Sequence, residues 1–251
     1  MKVLIVLAHP EPRSLNASLK NAAVEILQRH GHEVAVTDLY QQQWKAEAGR
    51  QDFPALPADE RLIYNTISKK AFLENQQSPD ITAEQEKIKW ADVILLQFPL
   101  WWFGMPAILK GWIDRTFTNG FGYGTGGRYG NGTLKDKKVM LMITAGAAAA
   151  PLGPQGIHGD IIDLLFPVHH GVFWYAGAAP LPPFVVYSAN HVSDERYTAI
   201  VQDLEQRLVS IPYTAPIRYR MGKQDYDENE VLKSHFTTGK SGFALHLQDQ
   251  D

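Results

Sequence analysis

The sequence predicts an α/β protein: an open, doubly wound parallel sheet of five strands with helices on both faces and a C-terminal extension. Two observations carry that expectation. Short, mainly apolar runs recur at 3–8, 93–98 and 138–144, as for strands buried on both faces. The stretch after the first run has helical spacing, with Leu19, Ala23, Ile26 and Leu27 on one face. A strand, helix, strand succession implies a right-handed crossover and hence a parallel sheet.

The elements follow in order. The first strand is 3–8 and the first helix 16–30, with Gly31 placed to end it. A second strand follows at 33–37. Residues 41–80 are polar and irregular, with Pro54, Pro57 and Pro79, and read as a long excursion holding one helix at 60–73. Thr82 followed by Gln85 reads as a capping box for a helix running to about Trp90. The third strand is 93–98, and Pro106 suits the first turn of a helix over 106–118. Residues 121–132 form a glycine-rich loop with two tyrosines. The fourth strand is 138–144, followed by a small-residue loop at 145–157 and a helix at 158–165. A last strand falls within 171–187, interrupted by Pro180, Pro182 and Pro183. Residues 194–210 are a clear amphipathic helix. The main domain is therefore 1–211 and the extension 212–251.

Composition narrows the chemistry. With 251 residues, 45% of them hydrophobic, the chain can bury a sizeable core. A net charge of −3 without a basic run gives no reason to expect nucleic acid as a partner. Cysteine is absent, which excludes disulfides, thiolate catalysis and thiolate metal sites. Redox chemistry would have to come from a bound cofactor. MKVLIVLAHP reads as a strand and not as a signal peptide. No apolar run reaches the length of a membrane span, so the expectation is a cytoplasmic protein without membrane insertion.

In open parallel sheets, ligands bind beyond the carboxyl ends of the strands. That rule selects the loops 9–18, 99–104 and 145–157. The first, HPEPRSLNAS, lacks the usual dinucleotide and P-loop glycine patterns. Ser14, Asn16 and Ser18 nevertheless stand at a helix N-terminus, which favours a phosphate; simple capping is the alternative. The second loop carries Trp101, Trp102 and Phe103, which either fill the core or offer a flat apolar surface to a planar ligand. Neighbouring side chains on an extended segment point opposite ways, so at most one tryptophan faces the ligand. The third loop is rich in glycine and alanine and lets backbone approach closely. His158 stands just beyond it, and histidine is the residue type suited to proton transfer. His169 and His170 are adjacent, do not face each other on a helix, and lack a third ligand, so no metal is expected.

Together these loops identify a resemblance. VLIVLAHPEPRSLNASL, SPDITAEQEKIKWADVILLQFPLWWFGMPAILKGWIDRTF, the FGYG of 121–124 and QGIHGD resemble the NAD(P)H:quinone oxidoreductase (DT-diaphorase) family of flavodoxin-like flavoproteins. The resemblance implies a flavodoxin-like fold and FAD as cofactor, with FMN the alternative. It implies NAD(P)H as co-substrate, a quinone as acceptor, and a homodimer whose sites lie between subunits. His9, Ser14, Leu15, Asn16 and Ser18 then fall at the flavin's phosphate end. Pro99, Leu100, Trp101, Trp102 and Phe103 fall on the ring-contacting loop, and Thr144, Ala145, Gly146 and Ala147 under the ring's polar edge. Gly122, Tyr123 and Gly124 match the substrate-side loop lent by the partner subunit, to which Arg128 and Tyr175 are joined. His158 matches the catalytic histidine and Arg196 an arginine near the adenine-side phosphates.

The chain departs from the family in places. Leu152 stands on the cofactor wall where mammalian members have a tyrosine, and Thr125 replaces a loop tyrosine. One branch binds a structural metal through a histidine at the position of His170. Its helical companion falls on Trp174, so no metal is carried over. The implied reaction is a two-electron hydride relay with ping-pong kinetics. The alternatives are a flavodoxin-type electron carrier and an ancillary subunit of a potassium-efflux system with a membrane transporter as partner.

Overall fold

The computed structural model describes residues 1–124 and 126–248; Thr125 lies outside them. Strands β1 (Lys2–Leu7), β2 (Glu33–Asp38), β3 (Val93–Pro99) and β4 (Lys138–Thr144) run parallel in the spatial order 2-1-3-4. The fifth position is shared by two short strands, β5 (Ala179–Pro180) and β6 (Phe184–Val186). They pair with opposite ends of β4, Ala179 beside Lys138 and Phe184 beside Met142. The break falls at Pro182 and Pro183, which have no N–H to give a ladder. The single fifth strand expected is thus two, in a sheet that keeps five positions.

Successive side chains of a strand face opposite ways, so β1 feeds two cores. Leu4 and Val6 join one, with Ile81 and Ile88 of α3 (Pro79–Trp90) and Leu109 and Trp112 of α4 (Ala107–Thr116). Val3 and Ile5 join the other, with Leu19 and Ile26 of α1 (Leu15–Arg29) and Leu204 and Leu208 of α7 (Asp194–Ser210). Helices therefore cover both faces, as a sheet of buried parallel strands requires.

Several boundaries differ from expectation, each for a local reason. Helix α2 (Tyr64–Leu73) starts after residue 60 because Arg50 draws the carbonyls of Pro57 and Glu60 into a turn. The Thr82–Gln85 pair is not a capping box. Helix α3 begins at Pro79, whose fixed φ suits a first turn, and Gln85 lies buried, donating to the Thr116 carbonyl at 2.9 Å. The helix expected over 158–165 shrinks to α5 (Ile161–Leu164): Gly159 sits at φ +81°, and the Asp160 carboxylate caps the Ile162 N–H at 2.8 Å. A short turn, α6 (Phe166–Val168), runs into a π-helix at His169–Trp174. Helix α7 matches expectation to the residue, with Ser193 as its cap.

The 41–63 excursion is fastened by charge. Buried Arg115 on α4 pairs with Asp52 at 2.9 Å and with Asp80 at 2.8 Å, and its guanidinium lies 4.5 Å from the Trp44 ring. Beyond α7 the chain turns back on the domain. Ile217 N–H bonds the Pro180 carbonyl at 2.7 Å, Tyr219 bridges to Leu247, and α8 (Gly222–Asp225) opens a hairpin-like excursion. No helix among the described residues is long and apolar enough to cross a membrane.

Candidate functional site

The three loops meet at the carboxyl ends of β1, β3 and β4. A buried polar chain ties them together: the Gln97 side-chain amide donates to Asn16 Oδ1 at 2.8 Å, and Asn16 Nδ2 donates to Thr144 Oγ1 at 2.8 Å. Asn16 is buried, so its amide locks the loops and does not project toward a ligand. At the start of α1, Ser14 Oγ accepts from the Ala17 N–H and its carbonyl from the Ser18 N–H. The N–H groups of Leu15 and Asn16 remain without an intrahelical acceptor and can meet an anion. His9 Nδ1 accepts from the Glu11 N–H at 3.1 Å, and its ring stands 6.3 Å from Trp101.

Above this floor the chain makes a turn that the residue types disfavour. Trp101 and Gly104 exchange backbone hydrogen bonds at 3.0 Å in each direction. Between them Trp102 has φ +48° and Phe103 φ +60°. This is the left-handed pair of a type I′ turn, ordinarily filled by Asn-Gly. The segment is therefore not extended. Of the two tryptophans, Trp102 lines the cleft described next, and a turn, not strand alternation, selects it. Neither fills the core: Trp101 is 43% exposed and Trp102 97%.

Leu100, Trp102, Phe103, Ala145, Gly146, Ala147, Leu152 and His158 line a cleft of about 240 Å³. On its third wall, the Ala145 N–H donates to Val186, while the carbonyls of Ala145 and Ala147 accept from Ala189 and Ser188. The N–H groups of Gly146 and Ala147 have no acceptor among the described residues. A Cβ on Gly146 would meet the Asn190 side chain at 3.0 Å, so glycine keeps that wall as bare backbone without displacing Asn190. Leu152 is buried beside His158 and presents no hydroxyl. The His158 ring lies 5.5 Å from Phe103 and makes no side-chain hydrogen bond to a described residue. A flat apolar wall, free N–H donors at one edge and a helix N-terminus nearby fit a planar heteroaromatic ring with a phosphate tail.

Other expected residues lie elsewhere. Pro99 and Thr144 are paired across the strand ends beneath the cleft. Arg196 is committed to the carbonyls of Tyr187, Ser188 and His191, clamping the loop that backs Ala145–Ala147. Gly122, Tyr123, Gly124, Arg128 and Tyr175 do not line the cleft. Tyr123 is half-buried, and burial first, then Tyr175, raises its pKa. Arg128 lies 5.9 Å from the Tyr175 ring and pairs with Glu230 of the tail. Among the described residues no group of three or more His, Asp or Glu could hold a metal.

Sequence reasoning missed Gln97, Asn190 and Glu230. Gln97 alone carried a signal, as a polar residue inside a fully buried strand.

Comparison with known proteins shows the family. A family model described as flavodoxin-like fold matches residues 1–208. The chain is 44% identical to a ribosyldihydronicotinamide dehydrogenase-like protein of Penicillium crustosum, over 100% of this chain and 97% of that protein. It is 41% identical to NAD(P)H dehydrogenase [quinone] 1 of Cavia porcellus, over 87% of this chain and 80% of that one. A crystal structure of a Klebsiella pneumoniae protein assigned as a quinone reductase superposes with a TM-score of 0.95 at 45% identity, covering 99% and 100% of the two chains. The chain belongs to the flavodoxin-like family of NAD(P)H and ribosyldihydronicotinamide dehydrogenases (quinone), a family of oxidoreductases.

Proposed function

We propose that this protein is a flavin-dependent NAD(P)H:quinone oxidoreductase. The observation that carries the reading is the Trp102–Phe103 turn. Two large aromatics are held in left-handed backbone and left in solvent, opposite the free N–H groups of Gly146 and Ala147. Left-handed non-glycine residues cost about 1–3 kcal/mol each and persist where a site uses them. Bound here, a flavin would supply hydride acceptance from the nicotinamide and hydride donation to the quinone.

The chain's own residues have separable tasks. Trp102 and Phe103 hold flat rings in one orientation, which lowers the entropic part of the barrier. The N–H groups of Gly146 and Ala147 stabilise negative charge at the ring edge. His158 holds a proton at a ring nitrogen facing the cleft, and Leu152 gives it no relay partner. The N–H groups of Leu15 and Asn16 bind phosphate. We assign FAD rather than FMN, on the ground of the extension beyond residue 211.

A homodimer completes the wall. The cleft of about 240 Å³ falls below the roughly 300–1,000 Å³ of a complete small-molecule site. Tyr123, Arg128 and Tyr175 stand off it, available to a second copy. One shared cleft imposes ping-pong kinetics.

The relatives' names support the reductase over an electron carrier or a transporter subunit. Purified protein should be yellow, release FAD identifiable by mass, and oxidise NADPH with a quinone and no protein partner, giving parallel double-reciprocal lines. Colourless, folded protein that takes up neither FAD nor FMN sinks the reading.

A further inference from the structure

His170 occupies the middle of a ring cluster that the cleft does not use. It stacks on Phe166 at 4.5 Å and 13°, and lies 5.4 Å from Tyr129, 4.9 Å from Tyr219 and 5.7 Å from His246. These rings come from α6, the glycine-rich loop and the tail. The tail closes over the cluster. Phe243 stacks on the Phe166 ring at 4.2 Å, and Tyr226 Oη meets His246 Nδ1 at 2.7 Å. Arg220 Nε donates to the Leu245 carbonyl at 2.9 Å, and its guanidinium covers Phe236. The loop is tied to the π-helix by the Tyr129 N–H to the Tyr175 carbonyl and the Gly130 N–H to the Trp174 carbonyl. The Arg128–Glu230 pair joins loop and tail directly but is exposed, and water screens such pairs until they contribute little. The ring cluster is the stronger fastening.

We propose that His170 is a positioning residue: its neutral imidazole latches the 126–131 loop to the 219–248 tail, and its protonation releases both. The proposal rests on the assignment of the neighbouring Gly122–Gly124 segment to the substrate side. The titratable groups packed around His170 are Tyr129 from the loop and Tyr219 and His246 from the tail. Beyond them Arg128 covers Tyr129 and Tyr175, Arg220 faces His246 and Tyr226, Asp225 faces Tyr226, and Glu230 pairs with Arg128. His170 is half-buried and makes no side-chain hydrogen bond to a described residue, so an imidazolium there would gain no protein acceptor in return for its lost hydration. Burial, and then His246, push its pKa down to about 4, and burial, then Arg220, lowers that of His246.

The sign follows. The released state binds the proton near 6.5, so docking is at full strength above that pH and weakens as pH falls toward 4. Between about pH 7.5 and about pH 5, His170 alone raises the released fraction roughly 30-fold. His169 is also buried and pushed down to about 4 by burial, but it packs into the core at the base of the π-helix and remains in a His170 variant as a control.

The test is hydrogen exchange of purified holoprotein at those two pH values, corrected for intrinsic exchange, on wild type and H170F. Phenylalanine keeps the stack and removes the titration. Roughly 30-fold faster exchange of the loop and tail at the acid pH in wild type, reduced to a few-fold in H170F, supports the latch. Equal pH dependence in the two proteins overturns it. If H170F does not fold, ring-proton NMR of wild type decides: a His170 ring still neutral at about pH 5.5 supports the latch, and titration near 6.5 overturns it. The quinone KM, read alongside, should rise in acid with kcat little changed. Acid-opened exchange with a flat KM sustains the latch and removes the loop's substrate-side assignment.

Discussion

Trp102 and Trp112 come from one stretch of sequence and meet opposite fates. Trp112 is fully buried on α4, with its indole N–H donating to the Glu84 carboxylate at 2.9 Å. That carboxylate also accepts from Thr37 and Lys87, so the ring caps a satisfied polar cluster. Trp102 is 97% exposed on left-handed backbone. The first arrangement is what a fold does with an aromatic whose polar handle finds a partner. The second adds exposed apolar surface and backbone strain within the chain, so its return lies in something the chain binds.

Substituting each tryptophan by alanine tests that contrast at its largest. Trp112→Ala removes a buried ring and one partner of Glu84, and should cost about 3–5 kcal/mol in denaturant unfolding. Trp102→Ala should move stability by no more than about 0.5 kcal/mol, while lowering flavin affinity or kcat/KM about tenfold through lost stacking. Comparable destabilisation by the two would erase the distinction.

Asn16 lies between these extremes, because it serves fold and site at once. Asn16→Ala leaves the Gln97 amide and the Thr144 hydroxyl without their partner, which should cost about 2–3 kcal/mol. Flavin should also bind less tightly, since the loops of β1, β3 and β4 lose their common tie. Loss of stability with unaltered flavin affinity would show that the relay does not shape the cleft.

How much of this was legible beforehand follows the range of the interactions. The strands β1, β3 and β4 show in the sequence because burial on both faces writes itself as a continuous apolar run. Helix α7 shows because Ser193 caps a regular stripe of Ile200, Leu204 and Leu208. The three loops at the carboxyl ends of these strands then follow from topology. The 41–63 excursion stayed unreadable because Arg115, Asp52 and Asp80 organise it from distant positions. The Trp102–Phe103 turn was misread as extended because neither residue favours left-handed backbone. The side chain of Asn16 could not be told from a helix cap in the sequence, because a capping position and a buried keystone share one spelling. The His170 cluster has no sequence period, since its rings converge from three separate segments.

His158 sharpens the comparison on the chemical side of the cleft. General acid–base groups contribute about 10²–10⁴-fold when their proton supply is arranged. Here Leu152 is the neighbour and offers no hydroxyl. His158→Gln should therefore slow flavin reduction by NADPH only about tenfold in stopped-flow, below that range. An unchanged rate would remove His158 from the reaction, and a loss beyond about a hundredfold would show a relay that Leu152 does not account for.

The smallest effect separates strain from use. Replacing Trp102 and Phe103 together by Asn and Gly gives the turn the residues that its left-handed pair prefers. The fold should gain about 1 kcal/mol, raising Tm by about 2–4 °C for a chain of this size. Flavin affinity should fall in the same variant, because the stacking surface leaves with the strain. The two readouts moving in opposite directions identify the turn as one kept for its ligand at a cost to the fold. A variant that loses both stability and flavin would instead make the aromatics part of the scaffold, and the cleft would then need another explanation for its exposed wall.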